Sequence, residues 1–427
     1  MKTKVDLIIN NIEQLVTCAS HGKMKKGAAM RDVSIVENGA VAIVCETIVD
    51  AGKSDEIHKN FESENVFDAQ RKVVCPGFVE CHTHIVFAGN RLDEFELKIK
   101  GADYLEILAN GGGILSTVKY TRQASLAELI EQSGKRLDKM LQLGVTTCEV
   151  KTGYGLNTET ELKMLEVIFE LNKTHHVDLI PTLLAAHAVP PEYRNVKSSD
   201  DYVDLICEEI IPKAVELYKK SYCDENQNLG FFIDAFCEEN AFTLEQTRKV
   251  LEAGKRHGMK IKAHVDEFTN LGAARMAIQL GATSIDHLDK ISSAEIDLLA
   301  NSDTVGVVTP TVNFNFGASE FADARKMIDA ECAIAVSTDF NPGSAPCPSI
   351  PNAMAIACRY QKLLPSEALN AGTINAAFAV GLGANIGSIE VGKQADILIL
   401  ETDDYRNLAY EFGGNWVGTV IKKGKIL

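Results

Sequence analysis

Short apolar runs alternate with stretches of helical periodicity through the middle of the chain. Eight runs read as strands: Val74–His84, Thr146–Tyr154, Asp178–His187, Phe231–Cys237, Lys260–Asp266, Ser284–Leu288, Thr304–Pro310 and Cys332–Asp339. Continuous apolar runs of this length fit parallel strands covered on both faces. Between them, Ser125 with Glu128, Thr243 with Gln246 and Ser292 with Glu295 predict capping boxes at helix starts. Gly144, Gly258 and Gly281 fall where those helices should end. Strand–helix alternation repeated eight times predicts an α/β (β/α)8 TIM-type barrel, with a doubly wound open sheet as the alternative. Polar residues gather at the C-terminal ends of the runs, where barrel enzymes place their chemistry, and this favours the barrel.

The two ends of the chain read differently. Val5–Ile9 and Val41–Val49 are strand-like and are separated by a polar patch at Gly22–Gly27; Asp396–Leu400 and Val417–Lys422 are strand-like near the other end. Neither end is large enough for a good core of its own. The expectation is one small β-sandwich domain built from residues 1–72 and 386–427, around a barrel of residues 73–385.

Composition narrows the function. A chain of 427 residues, 46% hydrophobic, can bury a large core, and its net charge of −16 argues against a phosphate-backbone partner. No apolar run reaches 18 residues, so no membrane span is expected. The start, Met1-Lys-Thr-Lys-Val-Asp, lacks the apolar stretch of a signal peptide. Eleven scattered cysteines without a CxxC pair suit a reducing cytoplasm better than a disulfide scaffold. A small-molecule substrate and a homodimer are expected, dimers being the commonest assembly.

The candidate chemistry starts at the end of the first run, Val-Val-Cys-Pro-Gly-Phe-Val-Glu-Cys-His-Thr-His. Side chains two apart on a strand share a face, so His82 and His84 can reach one metal ion together. Two polar residues at a strand end without a metal remain the alternative at this point. Arg91 follows closely and could grip a carboxylate through its planar fork, although a surface charge is the default. Tyr104 lies in a helix-like segment where packing is the default. Gly111–Gly113 lacks the lysine of a phosphate loop and reads as a flexible turn or lid. Further strand ends offer Tyr154, His187, His264 with Asp266 and Glu267, His287, and Asp339 with Asn341, Gly343 and Ser344.

The order His-x-His, His, His, Asp on strands one, five, six and eight resembles the amidohydrolase superfamily of metal-dependent hydrolases. The resemblance runs through Gly112–Val118, Glu149–Gly155, Ala186–Tyr193, Ala263–Glu267, Asp286–Leu288 and Thr338–Ser344. It implies His82, His84, His264 and Asp339 as ligands of one zinc or iron ion. Glu267, His287 and Asp339 would handle the water and the developing oxyanion. Arg91, Tyr104, Tyr154, His187, Asn341, Gly343 and Ser344 match substrate-contacting positions. The implied reaction is opening of the ring amide of 4-imidazolone-5-propanoate to N-formimidoyl-L-glutamate, a step of histidine degradation. A deaminase of a cyclic amidine such as guanine or cytosine, and a non-catalytic metal-binding barrel, are the alternatives. Relatives with two metals use a carboxylated lysine on strand four; the sequence there, Asp234-Ala-Phe-Cys-Glu-Glu, has none, which implies a single ion. Cys81 stands where relatives carry proline, on the face turned from the metal.

Overall fold

Eight parallel strands form the centre of the molecule: β1 (Phe78–Glu80), β2 (Val145–Lys151), β3 (Asp178–Ala186), β4 (Phe232–Cys237), β5 (Lys260–Ile261 and His264–Val265), β6 (Ser284–His287), β7 (Val305–Val308) and β8 (Ile334–Val336). The computed structural model describes residues 2–101, 112–194, 198–222 and 230–427. Each strand pairs in parallel with the next in sequence, from Phe78 opposite Val145 to Val308 opposite Val336. The ring closes just beyond β8, where Thr83 bridges Phe340 and the His84 N–H donates to the Phe340 carbonyl at 3.0 Å. This is the α/β, TIM-type barrel that the alternation predicts. Every residue of β2 is buried, as expected of a strand covered on both faces.

The helix signals fold as read. Ser125, Thr243 and Ser292 each cap a helix with the reciprocal bond from the residue three further on. Gly144, Gly258 and Gly281 all take positive φ just past helix ends.

The first predicted run is two strands rather than one. Val73–Pro76 pairs antiparallel with Ile397–Leu400 and parallel with Gln14 and Leu15, whereas only Phe78–Glu80 enters the barrel. Gly77 makes the crossing, and a Cβ there would sit 2.3 Å from Thr146 Oγ1. Apolar pattern alone could not place the break, since both halves are buried.

Strands from both ends of the chain share a mixed sheet, in the order Lys425–Ile426, Val417–Lys422, Ile397–Leu400, Val73–Pro76, Leu7–Val16, Ile35–Val44 and Thr47–Lys53. Alternation along Leu7–Val16 and its neighbour sends Leu7, Ile9, Val41 and Ile43 to one apolar cluster, and Ile8, Ala40 and Ala42 to another beside Ile57. Lys422 joins this sheet to the barrel: its Nζ lies 2.7 Å from Asp178 at the start of β3 and 2.6 Å from Asp396. No helix among the described residues is long and apolar enough to cross a membrane.

Candidate active site

His82 and His84 follow directly on β1, and both bring a ring nitrogen to the same donor group. Thr83, between them, bonds outward to β2: its hydroxyl donates to the Glu149 carbonyl at 2.6 Å, and its N–H to Glu149 Oε2 at 3.2 Å. Asp339, three residues past β8, has φ +49°, a left-handed conformation uncommon outside glycine. It brings Oδ1 to 3.5 Å from His82 Nε2 and 3.3 Å from His84 Nε2. From β5, His264 Nε2 approaches His84 Nε2 at 3.5 Å. His287 on β6, at φ +84°, lies with its ring 5.1 Å from that of His264.

All of these groups are buried, and several lack hydrogen-bond partners. His82 Nε2, Asp339 Oδ1 and His287 Nε2 have none among the described residues. Unpartnered buried polar atoms are costly, and here they converge. His82, His84 and Asp339 offer donor atoms within 4.8 Å of one another, as do His82, His264 and His287. Imidazole nitrogens and one carboxylate oxygen facing a common point are the donor set of a zinc or iron site. The residues fit a metal ion.

Beside this centre stands Glu267, with Oε2 4.0 Å from His287 Nε2. Burial, then the negative charges of Asp339, Asp289 and Glu238, push the Glu267 carboxyl well above the ordinary range. Burial pulls His287 down to about 3, reinforced by His264, so its ring is neutral at pH 7. Thr309 Oγ1 lies 3.1 Å from His287 Nδ1 and fixes the ring plane.

A cavity of about 560 Å3 opens over the centre and collects nearly every residue singled out in the sequence. His84, His264, Asp339, Glu267 and His287 lie on its wall, with Arg91, Tyr154, His187, Asn341, Gly343 and Ser344. His82 is fully buried and does not line it. Tyr104 and Gly111 lie outside the described residues. His187 stacks on His84, ring centres 4.9 Å apart, and Tyr154 packs 5.5 Å from His187. Cys81 is buried with Val79 and Ala335 in an apolar cluster, so the residue that departs from the superfamily pattern joins the core.

Two residues take up more bonds than their sequence positions suggest. The Arg91 fork is bonded to Glu94, Nε to Oε2 at 2.7 Å and Nη2 to Oε1 at 2.5 Å, which leaves Nη1 facing Gly343; a Cβ on that glycine would collide with it. Glu94 also takes Lys98 Nζ and the Gly113 N–H, each at 2.8 Å. Asn341 Oδ1 accepts the N–H groups of Gly343 and Ser344 while its Nδ2 donates to the Asp339 carbonyl and Ser344 Oγ. Asn341 therefore builds the turn that follows Asp339.

Sequence reasoning missed the polar layer beneath the centre: Glu80, Glu149, Lys151, Asp234 and Asp286, all fully buried. Their signal was available, since each is a charged residue inside an apolar strand run. Glu238 was missed as well; it accepts the N–H groups of Phe268 and Thr269 at 3.0 and 3.1 Å and so pins the loop that carries Glu267.

Comparison with known proteins agrees with this geometry. Residues 73–427 match the family described as "Amidohydrolase family", and the chain belongs to that family. The fold is shared with a zinc-bound adenosine deaminase from Xanthomonas campestris, at TM-score 0.74 and 20% identity over 100% of this chain and 93% of that one. It is shared also with guanine deaminase of E. coli, at TM-score 0.69 and 16% identity over 100% and 99%. Within the family, relatives that match over nearly their full length include imidazolonepropionases. Identity is 49% over 422 residues with that of Chloroflexus aggregans, spanning 99% of this chain and 98% of the relative. It is 45% over 426 residues with that of Alkaliphilus oremlandii, spanning 99% and 98%.

Proposed function

We propose that the chain hydrolyses the ring amide of 4-imidazolone-5-propanoate to N-formimidoyl-L-glutamate in histidine degradation. The observation that carries this reading is one cavity holding both unpartnered ligand atoms and a guanidinium, in a chain 49% identical to an imidazolonepropionase along nearly its whole length. His82, His84, His264 and Asp339 would hold a single zinc or iron ion. Such an ion lowers the pKa of bound water toward neutrality and polarises a carbonyl.

The residues of the chain do the rest. Glu267 takes the proton from the attacking water and returns it to the ring nitrogen as the carbon–nitrogen bond breaks. The water oxygen bonds to the carbonyl carbon, and charge on the carbonyl oxygen is stabilised from the His287 side. Asp339, whose charge acts on Glu267, shares in proton handling. Arg91 receives the propionate, Tyr154 and His187 flank the ring, and Asn341, Gly343 and Ser344 shape the wall beside Arg91. The mixed sheet serves as a small sandwich-type β domain of residues 1–72 and 386–427 around the barrel of residues 73–385, and Val73–Pro76 pairs within that sheet before the chain enters the barrel. A cytoplasmic homodimer without nucleic-acid or membrane partners suits the net charge of −16.

Elemental analysis combined with turnover of imidazolone propionate tests the proposal. One ion per chain and stoichiometric formimidoyl-glutamate are expected. Two ions per chain, or release of ammonia from guanine or cytosine in its place, would defeat it.

A further inference from the structure

Beneath the ligand histidines, at the C-terminal end of β2, Lys151 is fully buried. Its Nζ lies 2.7 Å from Glu149 Oε1, 2.8 Å from Asp234 Oδ2 and 3.7 Å from Asp286 Oδ2. Each of these carboxylates in turn holds part of the centre. Asp286 Oδ2 is 2.7 Å from His82 Nδ1. Asp234 Oδ2 is 3.0 Å from His264 Nδ1, and its Oδ1 accepts the His264 N–H at 3.2 Å. Glu149 Oε2 accepts the N–H of Thr83, the residue between His82 and His84. We infer that Lys151 is a positioning residue of the metal centre, a single ammonium that bonds Glu149 and Asp234 and balances the charge of Asp286, the three carboxylates set against the His82–His84 backbone, His264 and His82. The inference rests on the metal reading proposed above.

The chemistry runs in one direction. A lysine ammonium offers three donors and no acceptor, and ionised carboxylates only accept. Lys151 donates to Glu149 and Asp234 and lies within ion-pair distance of Asp286, which also accepts from the Ser284 hydroxyl and faces His82 Nδ1 at hydrogen-bond distance. Against an ionised Asp286, His82 Nδ1 carries the hydrogen and its Nε2 lone pair is left for a ligand, while the carboxylate of Asp234 beside Nδ1 and at the backbone N–H of His264 turns that ring's Nε2 the same way. Those are the atoms that converge on Asp339 and His84. Hydrogen bonds behind ligand histidines fix tautomer and ring orientation in metal sites generally.

Lys262 shares only the Asp286 arm of this task and reaches neither Glu149 nor Asp234. Its Nζ is bonded to Ser284 Oγ at 2.6 Å and the Ala379 carbonyl at 3.2 Å, and it approaches only Asp286 of the three, at 3.7 Å. A buried ion cluster is poor evidence of a stabilising role, because desolvation offsets much of its attraction. Orientation of the ligands is the function left for it.

The test is a titration of the apo full-length protein with Zn2+ against a competing chelator, for wild type and Lys151→Met. Circular dichroism of each apo protein and the absorption bands of the Co2+ form are recorded alongside. Removing an outer partner of metal ligands costs about 10–100-fold in metal affinity. We expect Lys151→Met to lose affinity in that range and to shift the Co2+ bands, with the apo spectrum unchanged. A Kd equal to wild type overturns the inference. Failure of wild type to bind Zn2+ or Co2+ at all overturns the metal centre itself, a separate result. Should Lys151→Met fail to fold, Lys151→Gln and Asp286→Asn are read in the same titration. Wild-type affinity in either overturns the inference, and a loss of tenfold or more in both upholds it.

Discussion

At Glu267 burial and neighbouring negative charge act in the same direction, so this carboxyl holds a proton more readily than an exposed glutamate. An amide keeps its shape and cannot take the proton. Glu267→Gln should therefore keep its metal while kcat falls by about 10²–10⁴-fold, the usual contribution of a general base; steady-state kinetics with elemental analysis decides it. Arg91 makes a different kind of contact. Glu94 occupies two of its nitrogens, and the remaining edge faces Gly343 at the cavity wall. A charge-assisted hydrogen bond contributes about 1.5–3 kcal/mol, so Arg91→Ala should lower kcat/KM by about 10–100-fold, mainly through KM. Arg91→Lys should recover only part of this, since an ammonium cannot bond Glu94 in two places and still point at the substrate. Unchanged kcat/KM in Arg91→Ala would move the carboxylate clamp elsewhere.

At the scale of elements, the loops after the strands are held by buried carboxylates rather than by packing alone. Glu161, in the helix Thr158–Thr174, accepts the N–H groups of Gly153, Gly155 and Leu156 at 3.1, 2.8 and 2.7 Å, and so fixes the loop that presents Tyr154. Glutamine has one acceptor oxygen, and its NH2 would face an N–H. Glu161→Gln should lower stability by about 1–3 kcal/mol, the cost of an unsatisfied buried group, seen as a lower urea midpoint, and should raise KM. A midpoint and KM equal to wild type would mean that the loop holds its shape without this residue. Glu238 plays the corresponding part for the loop after β5.

Across the whole molecule the two ends of the chain are tied together by similar means. Glu390 accepts the N–H groups of Ser20 and His21 at 3.1 and 2.9 Å, 370 and 369 residues away in sequence, and pairs with Lys393 at 3.4 Å. Burial opposes its charge, but the Ser388 hydroxyl, those two N–H groups and Lys393 outweigh it and lower its pKa from 4.5 to about 2. A value lowered on folding favours the native state at pH values above the unfolded pKa, and that advantage fades as pH falls through the folded one. The Tm deficit of Glu390→Gln should thus be full above about pH 4.5, shrink between there and about pH 2, and be near zero below. Thermal melts of both proteins across that range check the sign; a deficit that grows toward acid would contradict it.

Much of this was legible along the chain. The eight-fold alternation, the three capping boxes and the glycines past helix ends are local patterns, set by periodicities of two and 3.6 residues and by cap chemistry. The residue types at the strand ends named the candidate ligands, because a barrel gathers such ends however far apart they lie. What the chain could not settle was partnership. Whether Val73–Pro76 joins the barrel or the mixed sheet depends on Ile397–Leu400, more than 300 residues later. Arg91 reads as a free cation until Glu94 folds back on it. Lys151 reads as one charge in an apolar strand until Asp234 and Asp286 close around it. The sequence by itself determined the elements, their order and the chemistry at their ends, since these follow from neighbours a few residues apart. Only the tertiary structure decided which buried charges meet, because a charge cluster is set by distances between strands that no sequence spacing encodes.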